Sequence, residues 1–333
     1  MKTHSKQPHP RWGRRAWIKF GSKAAITVLL ILLLLRGIDP HSVLDNVLRI
    51  EWRYLAAAAG LVLGNIWLAG MRWCFVIRSI GHQLPLGLTW QLTMIGAFFN
   101  QILPSAMGGD LVRFPYAARL GLPLTAALKS VVLDRMIAFV GLTVLVLCCL
   151  PAVFLVIADT RAHWYLLGVV IAALLLVGVL LSVAYWPAML LEKSVLRPVL
   201  ALSISMRDAL LGRLRLRILV SAVMIHVIRV LTVYVVALSM SLQVSFLECL
   251  ILVPSALLVT NVPVSLGGWG LREGAFMVAF AFVGLTAEQS LALSALFGLT
   301  ILSSSLAGGL VWVFLCKPAG HSQAAPLTHP ESR

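Results

Sequence analysis

Pro104-Ser-Ala-Met-Gly108-Gly109-Asp-Leu-Val-Arg113 and Pro263-Val-Ser-Leu-Gly267-Gly268-Trp-Gly-Leu-Arg272 align without a gap, proline on proline, both glycines on glycines and arginine on arginine. Each stretch interrupts a long apolar run. Proline lacks an amide donor and the paired glycines let the backbone turn, so each stretch breaks a helix. An asparagine precedes each proline (Asn100, Asn261), and a Gly-Leu pair follows each arginine (Gly121-Leu122, Gly284-Leu285) before another long apolar run. Coincidence at four chemically special positions reads as an internal repeat.

The surrounding sequence decides what kind of helix is broken. Of 333 residues, 60% are hydrophobic and 12% charged, a balance no soluble core absorbs. Ala24–Leu35, Leu55–Ala69, Val140–Val156, Tyr165–Ala184, Ile218–Met240 and Leu291–Leu315 approach or exceed the roughly 20 apolar residues that cross a hydrocarbon core. Backbone polar groups in lipid must be satisfied within each segment, which selects helices. The five cysteines lie in or beside apolar segments without metal-ligand spacing and read as small hydrophobes.

The formal net charge of +15 is concentrated in two blocks that flank apolar spans. One precedes the first span (Lys2, Lys6, Arg11, Arg14, Arg15, Lys19, Lys23), and the other fills a central loop at 187–217 (Lys193, Arg197, Arg207, Arg213, Arg215, Arg217). The positive-inside rule accounts for both without nucleic acid, and anionic lipid headgroups are the nearer partner. Anchoring both blocks in the cytoplasm sends span one (about 17–37) outward and brings span two (about 53–71) back, leaving Arg72 and Arg78 inside. Span three (about 130–156) leaves, span four (about 164–186) returns to the basic loop, span five (about 218–240) leaves, and span six (about 291–315) returns. The segments on either side of 86–120 then lie on the same side, and neither arm around Pro104 has length to spare, so a re-entrant hairpin fits.

The same reasoning makes 246–286 a second hairpin, entering from the opposite face. The expectation is an all-α integral membrane protein, a bundle of about six to eight transmembrane helices with two broken hairpins forming an inverted repeat. Residues 1–23 form a basic cytoplasmic N-terminus and 24–316 the transmembrane domain. Repeat one covers about 17–156 and repeat two about 164–315, and 317–333 form a disordered cytoplasmic tail. Paired broken helices in inverted repeats mark the substrate site of many secondary transporters.

Arg113 and Arg272 each follow a Gly-rich break and so fall near the first turn of a half-helix, where free amides already favour an anion. Two guanidinium groups in equivalent positions are expected as paired elements of one central anionic site. The alternative is that each pairs with a neighbouring carboxylate, Asp110 or Glu273, or reaches for an interface. Asp134-Arg135 at the start of span three and Arg229 inside span five are costly in a membrane. They serve either transport or an ion pair that locks helices together. Asn100, Asn261 and Trp269 complete the candidate substrate-binding set, with Pro104, Gly108, Gly109, Pro263, Gly267 and Gly268 as structural breaks. His226 reads as a satisfied polar residue. Trp52, Trp67, Trp73, Trp90, Trp164, Trp186 and Trp312 read as an interfacial belt. The sequence carries no nucleophile elbow, zinc-protease helix, P-loop or acidic metal pair, so neither a metal nor a cofactor is expected.

Asn100 to Arg113, the Asp134-Arg135 dyad and Pro263 to Glu273 together resemble the transmembrane, flippase-like part of bacterial lysylphosphatidylglycerol synthases, over roughly residues 20–315. The resemblance implies lipid translocation across the inner membrane of a bacterium, with an anionic or phosphate-bearing lipid as partner and a lipid-modifying enzyme as a further one. In that family a separate soluble domain makes the aminoacylated lipid. A chain ending at Arg333 has no room for it, so lysyltransferase activity is not expected. Stand-alone members are associated with hopanoid, glycolipid or polyprenyl-linked sugar pathways. The rival expectations are a membrane enzyme acting on a lipid-linked substrate and an accessory subunit of a lipid- or glycan-modifying pathway.

Overall fold

The computed structural model describes residues 50–103, 108–185, 197–260 and 270–315. Ten α-helices lie within them: α1 (Trp52–Ser79), α2 (Leu86–Ile102), α3 (Gly108–Arg119), α4 (Leu124–Val156), α5 (Thr160–Ser182), α6 (Arg197–Leu211), α7 (Arg215–Ser239), α8 (Phe246–Thr260), α9 (Leu271–Ala281) and α10 (Ala287–Leu315). Five of these, α1, α4, α5, α7 and α10, are long and apolar enough to cross a membrane, and they coincide with spans two to six of the sequence reading. The protein is a multi-pass helical membrane protein. Span one, Pro104, the tail, and the second break with Asn261, Pro263, Gly267, Gly268 and Trp269 lie outside the described residues.

The two broken segments are pairs of short helices. At 1.5 Å per residue, the 17 residues of α2 and 12 of α3 reach about 25 and 18 Å, and the 15 of α8 and 11 of α9 reach less, all short of a core of about 30 Å. Within the first pair the backbones touch. A Cβ added to Gly109 would fall onto the carbonyl of Gly96, so this crossing admits only glycine on the α3 side.

The four helix ends that flank these pairs share one chemistry. α1 stops at Gly81 (φ 83°), with Gly81 N–H donating to Arg78 O and His82 N–H to Ile77 O. α7 stops at Ser241 (φ 54°), whose N–H donates to Leu238 O while Leu242 N–H donates to Ala237 O. Gly121 after α3 and Gly284 after α9 repeat the pattern, with Leu122 N–H to Ala117 O and Leu285 N–H to Phe280 O. All four are Schellman caps, in which a left-handed residue lets two amides reach back to orphaned carbonyls. The next helices begin in step: α2 at 86 and α8 at 246, each five residues past the left-handed position, and α4 at 124 and α10 at 287, each three past it.

Exchanging α1–α4 with α7–α10 preserves the packing. α1 packs on α2 as α7 on α8, α2 on α3 as α8 on α9, and α3 on α4 as α9 on α10. Across the repeats, α2 packs on α10 as α8 on α4, and α4 on α7 as α10 on α1. α1 and α7, which this exchange swaps, run antiparallel. Glu51 N–H donates to Ser239 O, Asn65 Nδ2 to Ile225 O at 2.6 Å, and the Arg217 guanidinium sits 6.0 Å from the Phe75 ring centre. Matching Gly81 to Ser241 pairs residue 65 with residue 225, so Asn65 bonds the backbone of its own equivalent on the pseudo-two-fold axis. Antiparallel equivalents are what an inverted repeat requires.

Two readings are corrected. Residues 187–217 are not a loop throughout. Residues 197–211 form α6, whose Leu202, Met206, Ala209 and Leu210 recur at helical spacing and pack against α4, α5 and α7, with the arginines flanking that stripe rather than breaking it. Arg72 does not trail into a cytoplasmic loop either, because α1 continues to Ser79 and buries it.

Candidate functional site

In the first repeat the ionisable residues converge on Asp134. Arg72, from the last third of α1, donates Nε–H to Oδ1 at 2.9 Å, and Arg113, from α3, donates Nη2–H to Oδ2 at 3.0 Å. All three side chains are less than a tenth exposed. A lone buried charge is prohibitive in a membrane, and one carboxylate shared between two guanidinium groups is how α1, α3 and α4 carry theirs. The guanidinium of Arg113 also lies 4.2 Å from the Trp73 ring, and Trp73 Nε1–H donates to Ser130 Oγ at 3.2 Å. Trp73 is therefore a buried platform for a cation and not part of an interfacial belt. Trp52, Trp67 and Trp164 are exposed.

Asp110, in the first turn of α3, accepts from Arg135 Nε at 2.6 Å and stands 4.0 Å from Arg113 Nε. A carboxylate there also complements the amide end of the helix dipole. Asn100 Oδ1 accepts the Gly109 amide at 2.8 Å, tying the end of α2 to the start of α3 across the break. The ion pairs and the hairpin clasp are thus one construction.

These groups line a cavity of about 600 Å³. Arg72, Asn100, Asp110, Arg113, Asp134 and Arg135 face it from the first repeat, and Asn65, His226 and Arg229 from the axis helices α1 and α7. Arg229 sits in the middle of α7, and its exposed surface opens onto this cavity and onto a smaller one of about 140 Å³ bounded by Thr232, Phe297 and Ser305. Among the described residues no carboxylate lies within 4 Å of Arg229. Arg72 and Arg135, of like sign, share the cavity wall with it. His226 Nε2–H donates to Ala138 O at 2.9 Å and leaves Nδ1 without a partner among the described residues. Arg72 Nη1 and Arg113 Nε likewise have no hydrogen-bond acceptor there. The cavity wall therefore holds four guanidinium groups against two carboxylates.

The second repeat holds its arginine differently. Arg272 donates to Glu273 Oε1 from Nη2 at 2.6 Å and from Nε at 3.1 Å, and to Ser294 Oγ at 3.0 Å. Glu273 Oε2 accepts the amide of Gly270, whose φ of 83° opens α9. The guanidinium lies against Gly298, with the Phe297 ring 5.9 Å away. Arg272 is not among the described residues lining the larger cavity, so the two arginines do not share that lining. The reason is one helix further on. Setting the start of α4 on that of α10 places Phe297 where the first repeat has Asp134, and Gly298 where it has Arg135. Repeat symmetry in the breaks thus coexists with divergence in what faces them.

Of the other expected site residues, Asn100, Asp110, Arg113, Asp134, Arg135 and Arg229 come together around the cavity, Glu273 caps α9, and Asn261 and Trp269 lie outside the described residues. Arg72 and Asn65 were missed. The signal for Arg72 was available: α1 needs 28 residues, and a cation seven positions before its end must find a partner inside.

The architecture and the intramembrane ionic cavity define a polytopic membrane protein with an inverted repeat. Residues 22–309 match the model of the lysylphosphatidylglycerol synthase TM region, and the chain belongs to that family. It is also similar to a UPF0104 membrane protein of Methanothermobacter thermautotrophicus, 25% identical over 112 residues, a stretch that covers 33% of each chain.

Proposed function

We propose that this protein carries a lipid across the bilayer, holding the anion of its headgroup in the cavity between α1, α3, α4 and α7 while the acyl chains stay in the membrane. The observation that carries this reading is the excess of guanidinium over carboxylate in a cavity built into membrane helices, with no carboxylate within 4 Å of Arg229 among the described residues. Such a wall is stable only with an anion within reach. Guanidinium forks also grip phosphate oxygens in pairs. The two-fold exchange of helix partners supplies the means, since rocking one repeat against the other about the α1–α7 axis exposes a central site alternately to each face. Membership of a family named for a lipid synthase agrees with a lipid cargo.

Reconstitution tests this. Proteoliposomes carrying fluorescent phosphatidylglycerol or phosphatidic acid should expose inner-leaflet lipid to an impermeant quencher faster than protein-free vesicles. Arg229→Gln should return the rate towards the background. Wild-type vesicles indistinguishable from empty ones for both lipids would overturn the proposal.

A further inference from the structure

The charge count of the cavity selects among lipid phosphates. Arg72, Arg113, Arg135 and Arg229 face Asp110 and Asp134, and with His226 neutral the described wall carries an excess of two positive charges. Both carboxylates are already engaged, Asp134 by two arginines and Asp110 by Arg135. Neither is free to receive an ammonium group. A cationic aminoacyl headgroup would have to bring its amine beside Arg229 or break one of those pairs.

A phosphodiester lipid carries one negative charge and leaves one guanidinium uncompensated. Building on the lipid-transport reading, we infer that the headgroup taken by this cavity is dianionic: a lipid ending in a phosphate monoester or a diphosphate, with its terminal oxygens set against Arg229 and the other arginines that line the cavity, Arg72, Arg113 and Arg135. A terminal phosphate presents three oxygens where a diester presents two, which suits a wall of separate guanidinium groups.

The second ionisation of a phosphate monoester, near pH 6, gives the inference a signature independent of transport. Between pH 5 and pH 8 the dianion rises from about a tenth of the monoester to nearly all of it. Hexadecyl phosphate, bound to the purified protein in neutral detergent, should therefore gain about fivefold in affinity over that range, its monoanion binding as weakly as a diester. Hexadecyl methyl phosphate has the same chain and a single fixed charge, and should not strengthen. The methyl ester, whose charge is fixed, reads any change in the protein itself over the same range.

At pH 8 the monoester should bind about tenfold tighter than its methyl ester in the wild type and in Arg229→Lys. In Arg229→Gln the two should bind alike, with a thermal melt confirming that the variant is folded. Equal affinities in the wild type at both pH values, or tighter binding of lysylphosphatidylglycerol than of hexadecyl phosphate, would overturn the inference while leaving lipid transport intact. Inorganic phosphate binding as tightly as hexadecyl phosphate would uphold the dianion and overturn the lipid reading instead.

Discussion

Replacing Asp134 with Asn removes the acceptor charge shared by Arg72 and Arg113 while keeping the side chain's size. Both guanidinium groups stay buried, at less than a tenth exposed, and each loses a charge-assisted bond of 2.9 or 3.0 Å. One such bond contributes about 1.5–3 kcal/mol, and removing one partner of a buried pair costs about 3–5 kcal/mol. Two pairs share this carboxylate, so about 4–6 kcal/mol is expected, allowing Asn Oδ1 to retain one weaker bond. Thermal unfolding in detergent should shift down by on the order of 10 °C. The double variant Arg72→Met/Asp134→Asn should be more stable than Asp134→Asn alone, because the second substitution removes a charge that the first left unpaired. A loss below about 1 kcal/mol for Asp134→Asn, or purely additive effects in the cycle, would refute the reasoning that this carboxylate holds α1 and α3 to α4.

Gly109→Ala should destabilise the hairpin by on the order of 2–3 kcal/mol, since its Cβ meets the Gly96 carbonyl. Gly64→Ala, with nothing within 4 Å of the added carbon, should be neutral or slightly stabilising in the same melt. Arg113→Lys should weaken lipid-phosphate binding more than it lowers the melting temperature, whereas Arg272→Lys, whose partners are Glu273 and Ser294, should do the reverse. In a background with the exposed Cys148 replaced by Ser, Leu120→Cys and Thr286→Cys follow equivalent helix ends of an inverted repeat. An impermeant thiol reagent should reach them from opposite sides of the membrane, and labelling of both from one side would contradict the inversion.

Much of the architecture was legible because membrane helices announce themselves by length, and because the broken segments carry residues that act on the backbone directly. Proline and glycine have the same effect wherever they stand, so the repeat in 104–113 and 263–272 could be read without knowing what surrounds it. Of the four Schellman caps three carry the glycine that marks them, Gly81, Gly121 and Gly284, but Ser241 stands where α1 uses Gly81 and gives no such sign. The ionic site was less legible, because the partner of a buried arginine lies on another helix and only the assembled bundle chooses it. Arg113 and Arg272 look alike in sequence, and the difference between an open cationic cavity and a closed Arg-Glu-Ser cluster rests on Asp134 against Phe297. The amphipathic stripe of α6 was masked by the arginines around it, which satisfied a rule about loops equally well.

The most direct test of a lipid-anion site in the first repeat is a cryo-electron-microscopy structure of the protein in nanodiscs prepared with its own membrane lipids. Headgroup density within the cavity, in hydrogen-bonding reach of Arg229 and at least one of the other arginines that line it, is the predicted result. A lipid phosphate seated instead on Arg272, with the first-repeat cavity holding water alone, would contradict it.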